Sequence, residues 1–188
     1  MVKNFFAYVL ELVKVVLISL AIIIPVRYYL IQPFYVKGAS MEPNFYDKEY
    51  LIIDEISYRF HEPVRGDIVV FRYPLDPQEF FIKRVIGLPG ERVQVKDGSV
   101  YIYNNEHENG VKLEEKYLPA DLKTYALNEE ITTLNDHEYF VFGDNRNSSK
   151  DSRSFGAVDK KFITGRVLLR GWPFNRIDVF SAPQYSYN

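Results

Sequence analysis

The chain contains 188 residues, with 23 basic and 25 acidic side chains and a formal net charge of -2. This balance argues against a dedicated nucleic-acid binder, which normally carries a basic excess. Cysteine is absent, which excludes disulfides, thiolate catalysis and cysteine metal sites. Apolar residues make up 47% and aromatic residues 16% of the chain, a composition typical of a folded, strand-rich protein with one globular domain.

The chain begins with a long apolar segment, residues 5–24, whose only charges are Glu11 and Lys14. As a helix, its roughly 20 residues span about 30 Å, the thickness of a hydrocarbon core. The charge-free part is shorter, so a cleaved signal peptide and an amphipathic surface helix remain open as alternatives. The bulky residues after Pro25 favour retention over cleavage. We therefore predict a membrane anchor over residues 1–30 and a separate domain over residues 31–188.

Most of the remaining sequence predicts strands and turns, so the expected fold class is mainly β, with an all-β domain after the anchor. The β-rich runs lie at residues 34–37, 50–53, 68–71, 139–142 and 166–169. Apolar and polar residues alternate on either side of Asp97-Gly98, which is a strong signal for a β-hairpin. Residues 104–135 are polar and weakly patterned and predict loops and peripheral strands.

Metal and histidine chemistry find little support in the sequence. The three histidines, His61, His107 and His137, form no pair with the spacing of zinc ligands. A Ser-His-Asp triad would lack the G-x-S-x-G elbow, because Gly38-Ala39-Ser40-Met41-Glu42 departs from that pattern at its last position. We expect no metal and no cofactor.

A polar segment at residues 143–153 is dense in charges of alternating sign: Asp144, Arg146, Asp151 and Arg153. It fails the calcium-loop pattern, because Arg146 occupies a ligand position and the central glycine is missing. On its own, the segment is also typical of a salt-bridged surface loop.

Two residues suggest nucleophilic chemistry. Ser40 lies between the flexible Gly38 and the rigid Pro43, shortly after the apolar segment. Lys83 follows Phe80-Phe81-Ile82, and a lysine desolvated by such neighbours has a lowered pKa and can act as a base. The two residues are far apart in the chain, so spacing alone does not pair them.

Four segments, taken together and in order, resemble the motifs of bacterial type I signal peptidases of the Gram-positive type. These are Ser40-Met41-Glu42-Pro43, the run from Arg65 to Phe71, the run from Lys83 to Glu91, and the run from Gly143 to Arg153. The leading apolar segment and the short chain also fit that family. The resemblance implies a membrane-bound serine endopeptidase that removes signal peptides from exported preproteins, cleaving after small residues at -1 and -3.

The resemblance also implies roles for individual residues. Ser40 would be the nucleophile and Lys83 the general base, with Ser149 orienting the lysine amine. The four charged residues of the polar segment, Asp144, Arg146, Asp151 and Arg153, would hold the architecture of the site. The Ser40 N–H would donate to the oxyanion, whereas Gly38 stands where some relatives have a hydroxyl donor.

The substrate-binding residues implied by the resemblance are apolar. Val36, Met41, Phe81 and Ile82 would line the -1 pocket, and Phe34, Val36 and Ile82 the -3 pocket. The expected partners are signal peptides of exported preproteins, the lipid bilayer and the secretion translocon, with no nucleic acid. The β-rich domain would lie on the extracytoplasmic face of the cell membrane, joined to a single-pass anchor.

Two alternatives remain. A non-catalytic relative could act as a chaperone for the assembly of surface structures, although such a protein would be expected to lose Ser40 or Lys83. A self-cleaving Ser/Lys protease of the SOS-repressor type would be soluble and carry a DNA-binding domain, which the apolar segment and charge balance disfavour. The sequence leaves open whether a peptidase of this kind would be general or dedicated to one export system.

Overall fold

The fold is mainly β, as predicted, in a computed structural model that describes residues 2–25, 31–183 and 185. It contains the helices α1 (Val2–Pro25) and α2 (Ser152–Phe155). The strands are β1 (Ile31–Tyr35), β2 (Tyr50–Asp54), β3 (Ile68–Tyr73), β4 (Asp76–Gly87), β5 (Arg92–Lys96), β6 (Ser99–Tyr103), β7 (Val111–Lys112), β8 (Thr132–Thr133), β9 (Glu138–Phe142), β10 (Val158–Asp159), β11 (Ile163–Trp172) and β12 (Asp178–Val179). Short 3₁₀ turns lie at Ser57–Arg59, Lys160–Phe162 and Phe174–Arg176.

The apolar segment near the N-terminus forms the helix α1, and its described side chains between Tyr8 and Ile24 are all exposed. Among the residues that the structure describes, however, no helix combines the length and hydropathy needed to cross a bilayer. The helix itself is thus observed, whereas the predicted membrane span is not confirmed.

The strands form two antiparallel sheets. The larger sheet has the order β1-β2-β11-β3-β4-β9-β10, with β12 added beside β11, and the smaller has the order β7-β6-β5-β8. The predicted hairpin is confirmed: β5 and β6 pair with Lys96 opposite Ser99, and Asp97 and Gly98 both have positive φ, at 52° and 73°. This is the geometry of a two-residue type I′ turn, which Gly favours.

Strand β3 lies at the centre of the larger sheet and contributes to two cores. Ile68 and Val70 belong to a cluster with Met41 and Phe45, whereas Val69 and Phe71 belong to a cluster with Val85 and other residues. Because successive side chains of a strand point to opposite faces, a strand buried on both faces reads as a continuous apolar run. This central position explains why residues 68–71 show no alternation.

Candidate active site

Ser40 lies in a tight turn that follows β1. The Glu42 N–H donates to the Ala39 carbonyl at 3.1 Å, and the Phe45 N–H donates to the Met41 carbonyl at 2.8 Å. Met41 and Phe45 are 1% and 0% exposed, so they anchor the turn in the core. The chain enters the turn through Gly38, whose φ of 85° favours a residue without a Cβ. The Ser40 side chain is consequently held at the surface of the domain on a rigid base.

A second segment, residues 143–151, packs against this turn; we call it the polar loop. The Asn145 N–H donates to the Ser40 carbonyl at 3.0 Å, and the Asn145 side-chain amide donates to the Ala39 carbonyl at 3.1 Å. The approach is close at Gly143 as well, where an added Cβ would lie 2.4 Å from the Ser40 carbonyl oxygen. The polar loop therefore fixes the backbone of Ser40.

Lys83 reaches Ser40 from strand β4. Lys83 is only 3% exposed, and its Nζ lies 2.8 Å from the Ser40 Oγ and 2.8 Å from the Ile82 carbonyl oxygen. Burial lowers the pKa of Lys83 to about 8, and the carboxylates of Asp151 and Asp144 partly oppose this shift. The Lys83 amine is therefore largely shielded from water, and part of it is neutral near physiological pH. It lies beside the Ser40 hydroxyl.

Ser149 lies close to this pair without joining it. Its Oγ is buried and has no hydrogen-bond partner among the described residues. It packs against Gly143, where an added Cβ would lie 2.2 Å from the Oγ. The structure therefore brings Ser149 to the site, whereas its expected bond to the lysine amine is not present and its orienting role stays a prediction.

Three charged residues of the polar loop, Asp144, Arg146 and Asp151, each have a partner of opposite charge. Asp144 accepts from Arg84 Nε at 2.8 Å and from Arg84 Nη2 at 2.7 Å, in a buried fork. Asp151 accepts from the Gly143 N–H at 3.0 Å and pairs with Arg153 at 2.8 Å. These bonds hold the loop in the shape that places Asn145 on the Ser40 turn.

Arg146 takes its side-chain partners from residues 104–135, a part of the chain to which the sequence assigned no role. Its Nη1 donates to the Glu115 Oε2 at 2.8 Å and to the Thr124 hydroxyl. The Tyr117 ring from the same part of the chain stacks on Arg84, with its centroid 3.9 Å from the Arg84 Cζ. Residues 104–135 do form loops and short strands, as predicted, and they also contact and support the polar loop.

Arg84, Asn145 and Glu115 were not identified from the sequence as site residues. Arg84 could have been indicated by its position next to Lys83, and Asn145 by its position in the run from Gly143 to Arg153. No sequence signal indicated Glu115.

A cleft of about 640 Å³ opens beside Ser40 and Lys83. Four of the five predicted substrate-binding residues line it: Phe34, Val36, Phe81 and Ile82. Met41 is not among the residues that line the cleft and lies in the core cluster that includes Phe45, so its place in the -1 pocket stays a prediction. The Phe34 and Phe80 rings meet edge to face across the cleft, with centroids 5.4 Å apart.

Known proteins resemble this chain over most of its length. The family model described as signal peptidase, peptidase S26, matches residues 9–172. The chain is 38% identical to a probable signal peptidase I-2 from Synechocystis, over 92% of this chain and 77% of that protein. It is 31% identical to signal peptidase IB from Staphylococcus aureus, over 95% and 97%. A crystal structure of a signal peptidase I from Enterococcus faecalis matches 57% of this chain and 97% of its own, with 33% identity and a TM-score of 0.46.

Proposed function

Because the chain belongs to the signal peptidase family, peptidase S26, and is a serine endopeptidase of the signal peptidase I type that removes signal peptides, we propose that Ser40 is its nucleophile and Lys83 its general base. The observation that carries this assignment is the 2.8 Å contact between the Lys83 Nζ and the Ser40 Oγ. A nucleophile and its base must lie within hydrogen-bond reach, and this pair does so before any substrate binds.

Acylation begins with Lys83 in its neutral form. A neutral amine has two N–H donors and one lone pair, so one donor can bond to the Ile82 carbonyl while the lone pair faces the Ser40 hydroxyl. Lys83 takes the proton from the Oγ, which attacks the scissile carbonyl. The lysine ammonium then gives that proton to the leaving amine, and the signal peptide remains on Ser40 as an ester.

Deacylation uses the same amine. Once the mature chain has left, Lys83 is again neutral and can take a proton from a water molecule that attacks the ester carbonyl. The Ser40 oxygen then leaves with a proton from Lys83, which restores both side chains. Throughout, the backbone N–H of Ser40 is the oxyanion donor that the site offers, because Gly38 has no side-chain donor.

Substrate binding follows from the position of β1. Among the described strands, β1 pairs with β2 alone and is the outer strand of the larger sheet. An extended signal peptide could therefore add beside it, with alternate side chains entering the cleft. The Phe34 and Phe80 rings restrict the space across the cleft, which supports a preference for small residues at -1 and -3.

The site of action in our proposal is the extracytoplasmic face of the membrane, with residues 1–30 as a single-pass anchor and residues 31–188 as the catalytic domain. Support comes from the exposed Val, Leu and Ile side chains on every side of α1, which do not pack on the β domain. Extraction of membranes at alkaline pH tests the anchor: an embedded helix stays with the lipid, and a surface helix is released.

The experiment that tests the reaction uses the full chain in detergent and a preprotein with an A-x-A cleavage site. Ser40→Ala and Lys83→Ala should each abolish cleavage, whereas Ser181→Ala and Lys161→Ala, at exposed positions, should cleave at the normal rate. Mass spectrometry of the products identifies the cleaved bond. Cleavage that survives either substitution in the site would contradict the proposed dyad.

A further inference from the structure

A second lysine, Lys150, lies in the substrate cleft and has no role in the proposed chemistry. It lines the cleft together with Ser40 and Lys83. Unlike Lys83, which is buried, Lys150 is exposed to solvent. The cleft thus contains one lysine suited to proton transfer and another suited to binding an anion.

The Lys150 ammonium is held in place by aromatic rings. Its Nζ lies 4.2 Å from the Tyr73 ring centroid and 5.8 Å from that of Phe81. Those two rings are stacked, with centroids 4.6 Å apart, and Tyr73 is buried. The backbone is fixed as well, because the next residue, Asp151, is buried and bonded to Gly143 and Arg153. A cation over such faces is positioned but not neutralised.

Lys150 is also the charged side chain of the polar loop that lacks a counterion. Asp144, Arg146 and Asp151 each pair with a partner of opposite charge. Within residues 31–183, the contacts of Lys150 are the two aromatic rings, and no carboxylate pairs with it. Its charge is consequently available to a ligand that enters the cleft.

The distance to the reacting atoms limits which part of a substrate Lys150 can meet. The Lys83 Nζ lies 5.2 Å from the Phe81 centroid and the Lys150 Nζ lies 5.8 Å from it. The two nitrogens are therefore at most about 11 Å apart, roughly the length of three extended residues. An acidic side chain within about three residues of the scissile bond is within reach of Lys150.

We propose that Lys150 is a specificity-determining residue that binds an aspartate or glutamate side chain of the preprotein within about three residues of the scissile bond. The inference rests on the proposed function, since it concerns the same cleft. Lys37 and Glu79 also line the cleft and are exposed, so their contributions must be separated from that of Lys150.

The test is a series of peptides with one A-x-A core, in which a single Asp is moved through positions -4 to +3 and compared with Asn at each position. The full chain in detergent should cleave the Asp peptide about two to five times faster than the Asn peptide at one position, the range expected of an exposed ion pair. This ratio should fall to about one in Lys150→Gln and below one in Lys150→Glu. It should also shrink as salt is added.

Four variants, compared with the unsubstituted chain, make the result decisive. Lys161→Gln, which lies on a different surface groove, should keep the ratio of the unsubstituted chain. The same ratios in the unsubstituted chain, Lys150→Gln and Lys150→Glu would overturn the proposal, as would an effect of Lys37→Gln in place of Lys150→Gln. If the unsubstituted chain cleaves none of the Asn peptides, the proposed function is overturned, and this proposal with it.

Discussion

Ser40 and Lys83 are separated by 43 residues in the chain, yet the Lys83 Nζ lies 2.8 Å from the Ser40 Oγ. Each residue is fixed independently, Ser40 by the anchored turn and Lys83 by strand β4 of the larger sheet. The pair is thus preformed, and folding rather than substrate binding supplies its geometry.

Replacement of Lys83 by arginine should remove activity although the charge and approximate length are kept. A guanidinium stays protonated at all accessible pH values and cannot accept the Ser40 proton. Loss of general base catalysis lowers kcat by about 10²–10⁴-fold. Lys161→Arg is the matched control, and single-turnover cleavage of a preprotein is the measurement. Substantial cleavage by Lys83→Arg would mean that another group is the base.

Cleavage should depend on pH through the lysine amine. The pKa of Lys83 is lowered to about 8 by burial, and only the neutral form can act as a base. The value of kcat/KM should therefore rise by about tenfold per pH unit below the pKa and level off above it. A profile measured on one peptide between pH 5 and 10 checks this. A plateau reached already at pH 6, or a rise that continues past pH 10, would disagree with the expected pKa.

The same shift predicts a change in stability with pH. The folded pKa of about 8 is below the model-compound value of 10.5, so the unfolded chain binds more protons between these values and stability rises with pH across this window. Below pH 8 both states hold a proton, and burial of the ammonium costs on the order of 3 kcal/mol. Lys83→Met should accordingly raise the free energy of unfolding at pH 7 more than at pH 11, as measured by denaturant unfolding. An equal effect at both pH values would contradict this.

The sequence predicted the hairpin at Asp97-Gly98 and the runs of strand residues. It also predicted that Ser40 and Lys83 share one site, but only through the family resemblance. The partners of the polar loop were not. Glu115 meets Arg146 across 31 residues, in a segment whose polar composition has no periodicity that would place it. Met41 was placed in the -1 pocket through the family resemblance alone, and strand alternation, which stops where β1 ends at Tyr35, could not show that Met41 is buried in the following turn. Contacts between loops depend on sheet order and register, which local patterns leave undetermined.

The buried pair of Arg84 and Asp144 should matter for both stability and catalysis. Asp144→Asn leaves the Arg84 guanidinium without its buried counterion, which costs about 3–5 kcal/mol. It also removes a carboxylate that raises the pKa of Lys83, so the acid limb of the rate profile should move to lower pH in the folded variant. Lys161→Gln, at the exposed pair with Asp159, should change stability by less than about 1 kcal/mol. Thermal unfolding and the pH profile together check both effects.

The close approach of the polar loop predicts a severe effect of one methyl group. In Gly143→Ala, the new Cβ would lie 2.2 Å from the Ser149 Oγ and 2.4 Å from the Ser40 carbonyl oxygen. The nucleophile turn must then shift, and a displacement of about 1 Å can lower kcat about 10²-fold. Gly171→Ala is the control, because its Cβ would meet nothing closer than 3.7 Å. Similar activity in the two variants would show that the loop does not fix Ser40.

The most direct measurement is a titration of the Lys83 amine itself, by NMR of the full chain with isotope-labelled lysine side chains. Comparison with Lys83→Met assigns the resonance, and the exposed lysines serve as internal references. The Lys83 signal should titrate near pH 8. A Lys83 signal that titrates near the ordinary lysine value of 10.5 would contradict a desolvated general base.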